Sequence, residues 1–233
     1  MLNPRAGAMN PRSTVLAVLS AVLILSLSCS MSMQYGHADV PIAETAATIK
    51  PLQAGQSAPR FTVRTVDNEL FLFDPLSLER PVVVIAFRGG WCPYCNMHLS
   101  ELKDVVAQID ALGIDVLFLS GDRPDMLYTS LSRETQDDIA ALDYQILSDA
   151  DAQAAVAFGI AFKASQRTID RRNEKGQDID DSSMLRHGVL PVPAVFLIDR
   201  DGVIKFVYSN PDYKIRLPAE ELLQVATGIA APK

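Results

Sequence analysis

The densest chemistry in the chain lies in ten consecutive residues, Phe87-Arg88-Gly89-Gly90-Trp91-Cys92-Pro93-Tyr94-Cys95-Asn96. Two cysteines at this spacing can close a small disulfide ring across the first turn of a helix, and a dithiol of that kind passes two electrons at a time. A thiolate at a helix N-terminus also meets the positive end of the dipole and unpaired backbone N–H donors, which lower its pKa from about 8.5 toward roughly 3.5–7.5. Pro93 suits the first helical turn because it removes a donor that has no partner there. Trp91 can cover one face of the ring. Arg88 either adds positive field or is an ordinary solvated arginine. A zinc site would need four ligands. Cys92, Cys95 and His98 give three at most, and the chain has no second Cys-x-x-Cys and no His pair, so no metal is expected. Inert core thiols rarely fall together at a Gly-Gly-Trp turn. His98 lies one turn beyond Cys95 and raises the local field when protonated; a surface or capping histidine is the alternative. His187 has no assignable role.

Such a pair must be presented by a strand ending and a helix beginning. Val82 to Phe87 is a continuous β-branched and aromatic run between Pro81 and Gly89-Gly90, the pattern of a strand buried on both faces. Beyond the cysteines, Leu99, Leu102, Val106 and Ile109 recur at helical spacing up to Gly113. Asp115 to Leu119 reads as a second buried strand, Pro124 opens a helix to about Thr135, and Tyr144 to Leu147 is a short strand. Ser148 then caps a helix ending near Gly159. Phe61–Val63 and Leu70–Phe73 flank the Asp67-Asn68 turn as an N-terminal hairpin. Val195–Ile198 and Val203–Tyr208 form another about Asp201-Gly202. Pro218 to Ala226, stopped by Gly228, is the closing helix. Strands alternating with helices give an α/β three-layer sandwich. Residues 163–190 fit neither period and read as a polar insertion, either a lid or binding loop or a solvated loop without catalytic importance.

The chain has 233 residues, with 48% hydrophobic and 21% charged residues, and a formal net charge of −7. That composition excludes collagen-like and disordered classes, and the sign of the charge argues against a nucleic-acid partner. Arg5 and Arg12 precede an uncharged apolar run from Val15 to Leu27, thirteen residues long. A bilayer span needs about 20, so the run reads as an export signal. An uncleaved anchor and a buried helix are the alternatives. Gly36-His37-Ala38 offers a cleavage site, giving a signal over residues 1–38, a tether over 39–56 and a single domain over 57–233. Leu25-Ser26-Leu27-Ser28-Cys29 imperfectly resembles a lipobox, so a lipidated Cys29 is the second route. Either route leads to a cell-envelope or periplasmic protein whose folded part keeps only Cys92 and Cys95.

Trp91-Cys92-Pro93-Tyr94-Cys95 after a strand resembles the active site of the thioredoxin superfamily, and its Cys-Pro-Tyr-Cys core is similar to that of glutaredoxins. Gly55-Gln56-Ser57-Ala58-Pro59-Arg60-Phe61 resembles the entry motif of the alkyl hydroperoxide reductase/thiol-specific antioxidant family. Phe87 to Cys95, Leu147-Ser148-Asp149 and Phe158-Gly159-Ile160 resemble that family's peroxiredoxin-like branch. The resemblance spans residues 50–228. It implies a thioredoxin-like sandwich with an N-terminal hairpin extension, an insertion before a cis-proline strand, and no cofactor. Two departures limit it. Setting Cys95 on the family's peroxidatic cysteine puts Cys92 where a Thr typically stands. The late-strand arginine that helps activate peroxide is replaced by Pro193 in Val192-Pro193-Ala194, which resembles the cis-proline of thioredoxins; a plain strand-start proline is the alternative. The buried Asp of thioredoxins is replaced by Ala86.

Two enzymatic activities follow. In the first, Cys95 reduces a peroxide, Cys92 condenses with the resulting sulfenate, and a thioredoxin-like or other dithiol reductant reopens the disulfide. In the second, Cys92 exchanges disulfides with envelope proteins and Cys95 resolves. A non-enzymatic binding module would not need both thiols.

Overall fold

The computed structural model describes residues 41–140, 142–174 and 182–230. The apolar run at 15–27, Cys29 and the cleavage motif lie outside them. No helix among the described residues is long and apolar enough to cross a membrane.

The sheet has seven strands: β1 (Phe61–Arg64), β2 (Leu70–Phe73), β3 (Val82–Phe87), β4 (Asp115–Ser120), β5 (Gln145–Ser148), β8 (Ala194–Ile198) and β9 (Ile204–Ser209), in spatial order β2-β1-β5-β4-β3-β8-β9. A separate two-stranded sheet pairs β6 (Ala161–Lys163) with β7 (Val189–Pro191). Strands β3, β4 and β5 run parallel, while β1, β2, β8 and β9 add antiparallel edges. Every residue of β3 is buried, which explains its unbroken apolar sequence: a central strand packs on both faces. One face carries α1 (Pro93–Ala111), with α2 (Arg133–Ile139) and α6 (Ala219–Ala230) packed on it. Its core includes Phe118, Leu99, Leu102, Ile109 and Leu222. The other face buries Phe61, Phe158, Phe196 and Ile198 under α3 (Gln153–Ala157). This is a thioredoxin-like three-layer sandwich with an N-terminal hairpin.

Several local expectations change. The segment from Pro124 forms only a single turn through Met126; the helix itself, α2, begins at Arg133, because Ser132 accepts the Thr135 N–H as its cap. Ser148 stays in β5 and donates its hydroxyl to the Asp122 carbonyl, while Asp149 caps α3 by accepting the N–H groups of Ala154 and Ala155. Helix α6 runs through Gly228 to Ala230, since solvent-side glycine weakens a helix without ending it. The insertion is not structureless. It runs from the last residue of β6 into β7 and holds α4 (Gln166–Glu174) and α5 (Ser183–His187), and its acidic run at 178–181 lies outside the described residues. From Ala43 to Leu52 the segment expected as a tether is instead laced to the domain, with Ala43 N donating to Ala161 O, Lys50 N to Gly159 O and Leu52 N to Phe158 O. Finally, no peptide bond among the described residues is cis, so Pro193 follows a trans bond. The chain runs extended from β7, where Pro191 pairs with Ala161, through Val192, whose N–H reaches Ile160 O, into β8, and that straight course keeps the bond trans. Pro193 therefore acts as the proline that opens a strand.

Candidate active site

The turn between β3 and α1 is shaped by two glycines. Gly89 adopts φ +137°, and a Cβ there would strike the Asp122 carboxylate and the Trp91 ring. Gly90 lies flush against the backbone of Ser130 and Leu131, and its N–H donates to Asp122 Oδ2 at 2.7 Å. Asp122, two residues beyond the end of β4, also accepts the Ser130 hydroxyl at 2.8 Å. Asn96 completes the clamp: its Nδ2 donates to the Gly90 and Cys92 carbonyls, and its Oδ1 accepts the Ser132 N–H. Both cysteines are thereby fixed at the start of α1. Cys92 is the N-cap, Pro93 is the first helical residue, and the Cys95 and Asn96 N–H groups donate to the Cys92 carbonyl.

Both sulfurs are thiols and both are sealed, Cys92 at 0% and Cys95 at 1% exposure. Arg88 is buried as well, so it is not the solvated arginine of the alternative reading. Its guanidinium lies 4.5 Å from the centre of the Tyr213 ring and 5.3 Å from that of Trp91. Tyr94 meets Tyr213 edge to face. Behind Arg88 opens a cleft of about 260 Å³ between Phe162, Leu190, Pro193 and Tyr213, with Arg171 of α4 among its lining residues. The insertion thus forms one wall of the cleft beside Arg88.

The two thiols ionise differently. Cys92 is pushed down to about 6: the Cys95 S–H donates to its sulfur, burial opposes this, and the Arg88 charge, the Cys95 N–H and Arg216 add to the depression. Cys95 is held well above the ordinary thiol range by burial and by donating its proton to Cys92, with Arg216 opposing. The resemblance assigns first attack to Cys95, but the ionisation favours Cys92. His98 is neither a surface group nor a source of charge. Burial, with Arg216 second, pushes it down to about 4, and the neutral ring lies 3.1 Å from the Leu217 carbonyl. His187 sits 2.8 Å from the Ala150 carbonyl, away from the thiols.

Arg216 is the residue that sequence patterns gave no reason to select. It lies in an irregular segment after β9, 121 positions from Cys95, yet its Nη2 donates to the Cys95 sulfur at 3.3 Å. Its Nε donates to the Tyr213 carbonyl at 2.8 Å. Asp122 is the second. Burial raises its carboxyl to about 6 against the Gly90, Ser130 and Ser120 hydrogen bonds that lower it. Only the tertiary fold brings either residue to the dithiol. Among the described residues no three His, Cys, Asp or Glu side chains gather in reach of a common metal.

Residues 54–207 match the model of the AhpC/TSA family. The chain is 27% identical over 162 residues to peroxiredoxin Bcp of Escherichia coli strain K12, covering 70% of this chain and 88% of that protein. It is 23% identical over 153 residues to the thiol-disulfide oxidoreductase ResA of Bacillus anthracis, covering 66% of this chain and 68% of that protein. Among solved structures, reduced Prx3 of Vibrio vulnificus in complex with hydrogen peroxide superposes with a TM-score of 0.58 at 18% identity, covering 75% of this chain and 99% of that one. That last likeness establishes the fold.

Proposed function

The chain belongs to the AhpC/TSA family, and from that premise we propose that it reduces hydroperoxides through the Cys92/Cys95 dithiol, which an external thioredoxin-like or other dithiol reductant then regenerates. The observation that carries this reading is a pair of buried free thiols at the start of α1, Cys92 at the N-cap and Cys95 in the first turn, and the first of them is held below the ordinary thiol range. The Cys92 thiolate attacks a peroxide oxygen; the S–O bond forms, the O–O bond breaks, and the departing oxygen takes a proton to leave as water or an alcohol. Cys95 then displaces the sulfenic oxygen as water and closes the disulfide. The reductant's two thiols reopen it and carry the oxidation away as a disulfide of their own. Burial favours a small first substrate, since a peroxide needs only a narrow path to a sulfur at 0% exposure, whereas a protein disulfide must bring its own sulfur into line. Trp91, Pro93 and Pro193 shape the surroundings of the pair, and Arg88 supplies charge to Cys92.

Disulfide exchange with envelope proteins is the second reading, favoured by the ResA relative and by a low-pKa thiol at the helix N-cap. Hydrogen peroxide and dimedone separate the two. Cys95→Ser should react once and hold a dimedone-trappable sulfenate, while Cys92→Ser should react about 100-fold more slowly, as befits a thiol that stays protonated. A Cys92→Ser protein that forms the adduct at the wild-type rate would give first attack to Cys95. A wild-type protein inert to peroxide but active on a disulfide would establish exchange instead. The sequence of residues 1–38 supports export to the cell envelope; full-length protein recovered only from the cytosol would overturn it, and loss of lipid labelling in Cys29→Ala would select the lipidated route.

A further inference from the structure

Two guanidinium groups act on the dithiol: Arg88 favours the Cys92 anion, and Arg216 favours both anions but is hydrogen-bonded to Cys95. Arg88 stands first among the charges that lower Cys92. Arg216 reaches the other sulfur directly, 3.3 Å from Cys95. Its guanidinium cannot drift away, because Nε is tied to the Tyr213 carbonyl, and its buried Nη1 has no hydrogen-bond partner among the described residues. A charged donor fixed on a protonated thiol contributes little while that thiol keeps its proton. Its effect appears when the sulfur must become an anion.

We propose that Arg216 serves the second half of the oxidative cycle, holding Cys95 as a thiolate once Cys92 has been oxidised. This deepens the peroxide-reduction reading and rests on it for its physiological setting. In the reduced site the Cys95 S–H is committed to the Cys92 anion, so one negative charge is carried by the pair and sits on Cys92. Oxidation to the sulfenic acid removes that anion. Cys95 is then left with burial, which opposes ionisation, and Arg216, which favours it. The Cys95 thiolate attacks the Cys92 sulfur; the S–S bond forms, the S–O bond breaks, and the oxygen leaves as hydroxide and takes up the proton lost by Cys95 to become water. The unpartnered Nη1 adds donors on the same fork for that departing oxygen. Arg216 is therefore a catalytic residue for disulfide closure, and Arg88 belongs to the attack.

The test bypasses peroxide. Methyl methanethiosulfonate is small enough for a sealed sulfur and puts a methylthio group on Cys92 as methanesulfinate leaves. Cys95 then expels methanethiolate and closes the same disulfide. Acid-quenched mass spectrometry follows the mixed disulfide and the closed ring separately. In Arg216→Met the first event should slow by no more than about threefold, while closure should slow by about 10- to 100-fold, the value of one hydrogen bond to a charged group. The pH profile of closure should also move to the alkaline side, and Arg216→Lys should restore part of both. In hydrogen peroxide the Arg216→Met protein should accumulate sulfenate and pass on to sulfinate more readily than the wild type. Closure at the wild-type rate with an unmoved pH profile would overturn the proposal, as would a loss confined to the first event. Should Arg216→Met lose its circular dichroism signature, Arg216→Lys decides on the same criteria. A wild-type protein inert to peroxide would defeat the functional reading alone, because the thiosulfonate experiment still reports on Arg216.

Discussion

Replacing Cys95 by Ala should raise the pKa of Cys92, because the largest influence holding Cys92 at about 6 is the Cys95 S–H. A hydrogen bond to a charged group contributes about 1.5–3 kcal/mol, and 1.36 kcal/mol corresponds to one pKa unit, so losing it moves Cys92 upward by about 1–2 units. At pH 7 the thiolate fraction would then fall from about 0.9 to between about 0.5 and 0.1. Cys95→Ser keeps an O–H donor at the same place and should lie much nearer the wild type. The assay is the pH dependence of iodoacetamide alkylation, which is unambiguous in both variants because Cys92 is their sole thiol in the folded domain. A Cys95→Ala protein that still titrates near pH 6 would refute the reasoning and move the cause to Arg88, Arg216 and the helix terminus. Equal shifts in the Ala and Ser variants would refute it too, since packing rather than proton donation would then control the sulfur.

Gly90→Ala should impair peroxide turnover by at least about tenfold with a smaller loss of stability, because its Cβ would collide with the Ser130 and Leu131 backbone and displace the turn that carries Cys92; steady-state peroxide consumption beside thermal unfolding reads both. Asp122 and Asp149 give a pH signature. Burial raises them from 3.8 to about 6 and about 7, so the fold favours their protonated forms, and that contribution is complete below about pH 4 and is lost as pH rises through 6 and 7. Thermal unfolding temperature should accordingly rise as pH falls from about 8 toward 5, and Asp149→Asn should flatten that slope while lowering stability throughout through loss of one of its two cap bonds.

The elements around the dithiol were legible because their sequence signals are strong and local. An unbroken apolar run became β3, and apolar residues three and four apart became the inner face of α1. The errors arose where tertiary contacts outweigh local propensity. Ser148 and Asp149 are both capable caps, and only the course of the chain decides that Ser148 bonds the Asp122 carbonyl while Asp149 turns to α3. Residues 43–52 carry no period, yet partners in the Gly159 region order them. The polarity of residues 166–174 hid a helix that exposes much of its surface. At the site, Cys92, Cys95, Trp91 and Arg88 fall within one short motif, whereas Asp122 and Arg216 are drawn in by β4 and by the segment beyond β9. The Ala86 and Pro193 departures mark charged groups that this chain does without at those places; Asp122 and Arg216 bring a carboxyl group and a guanidinium to the same neighbourhood along different routes.

The position of Trp91 has an optical consequence. It is the chain's single tryptophan, 9% exposed, adjacent in sequence to Cys92 and covered by the Arg88 guanidinium. All indole emission from this molecule therefore originates at the redox centre. Thiolates and disulfides quench an excited indole by electron transfer with different efficiency, so the oxidation state of the sulfurs is written into the native fluorescence of the unlabelled protein, and each chemical event beside the ring can be timed by light alone.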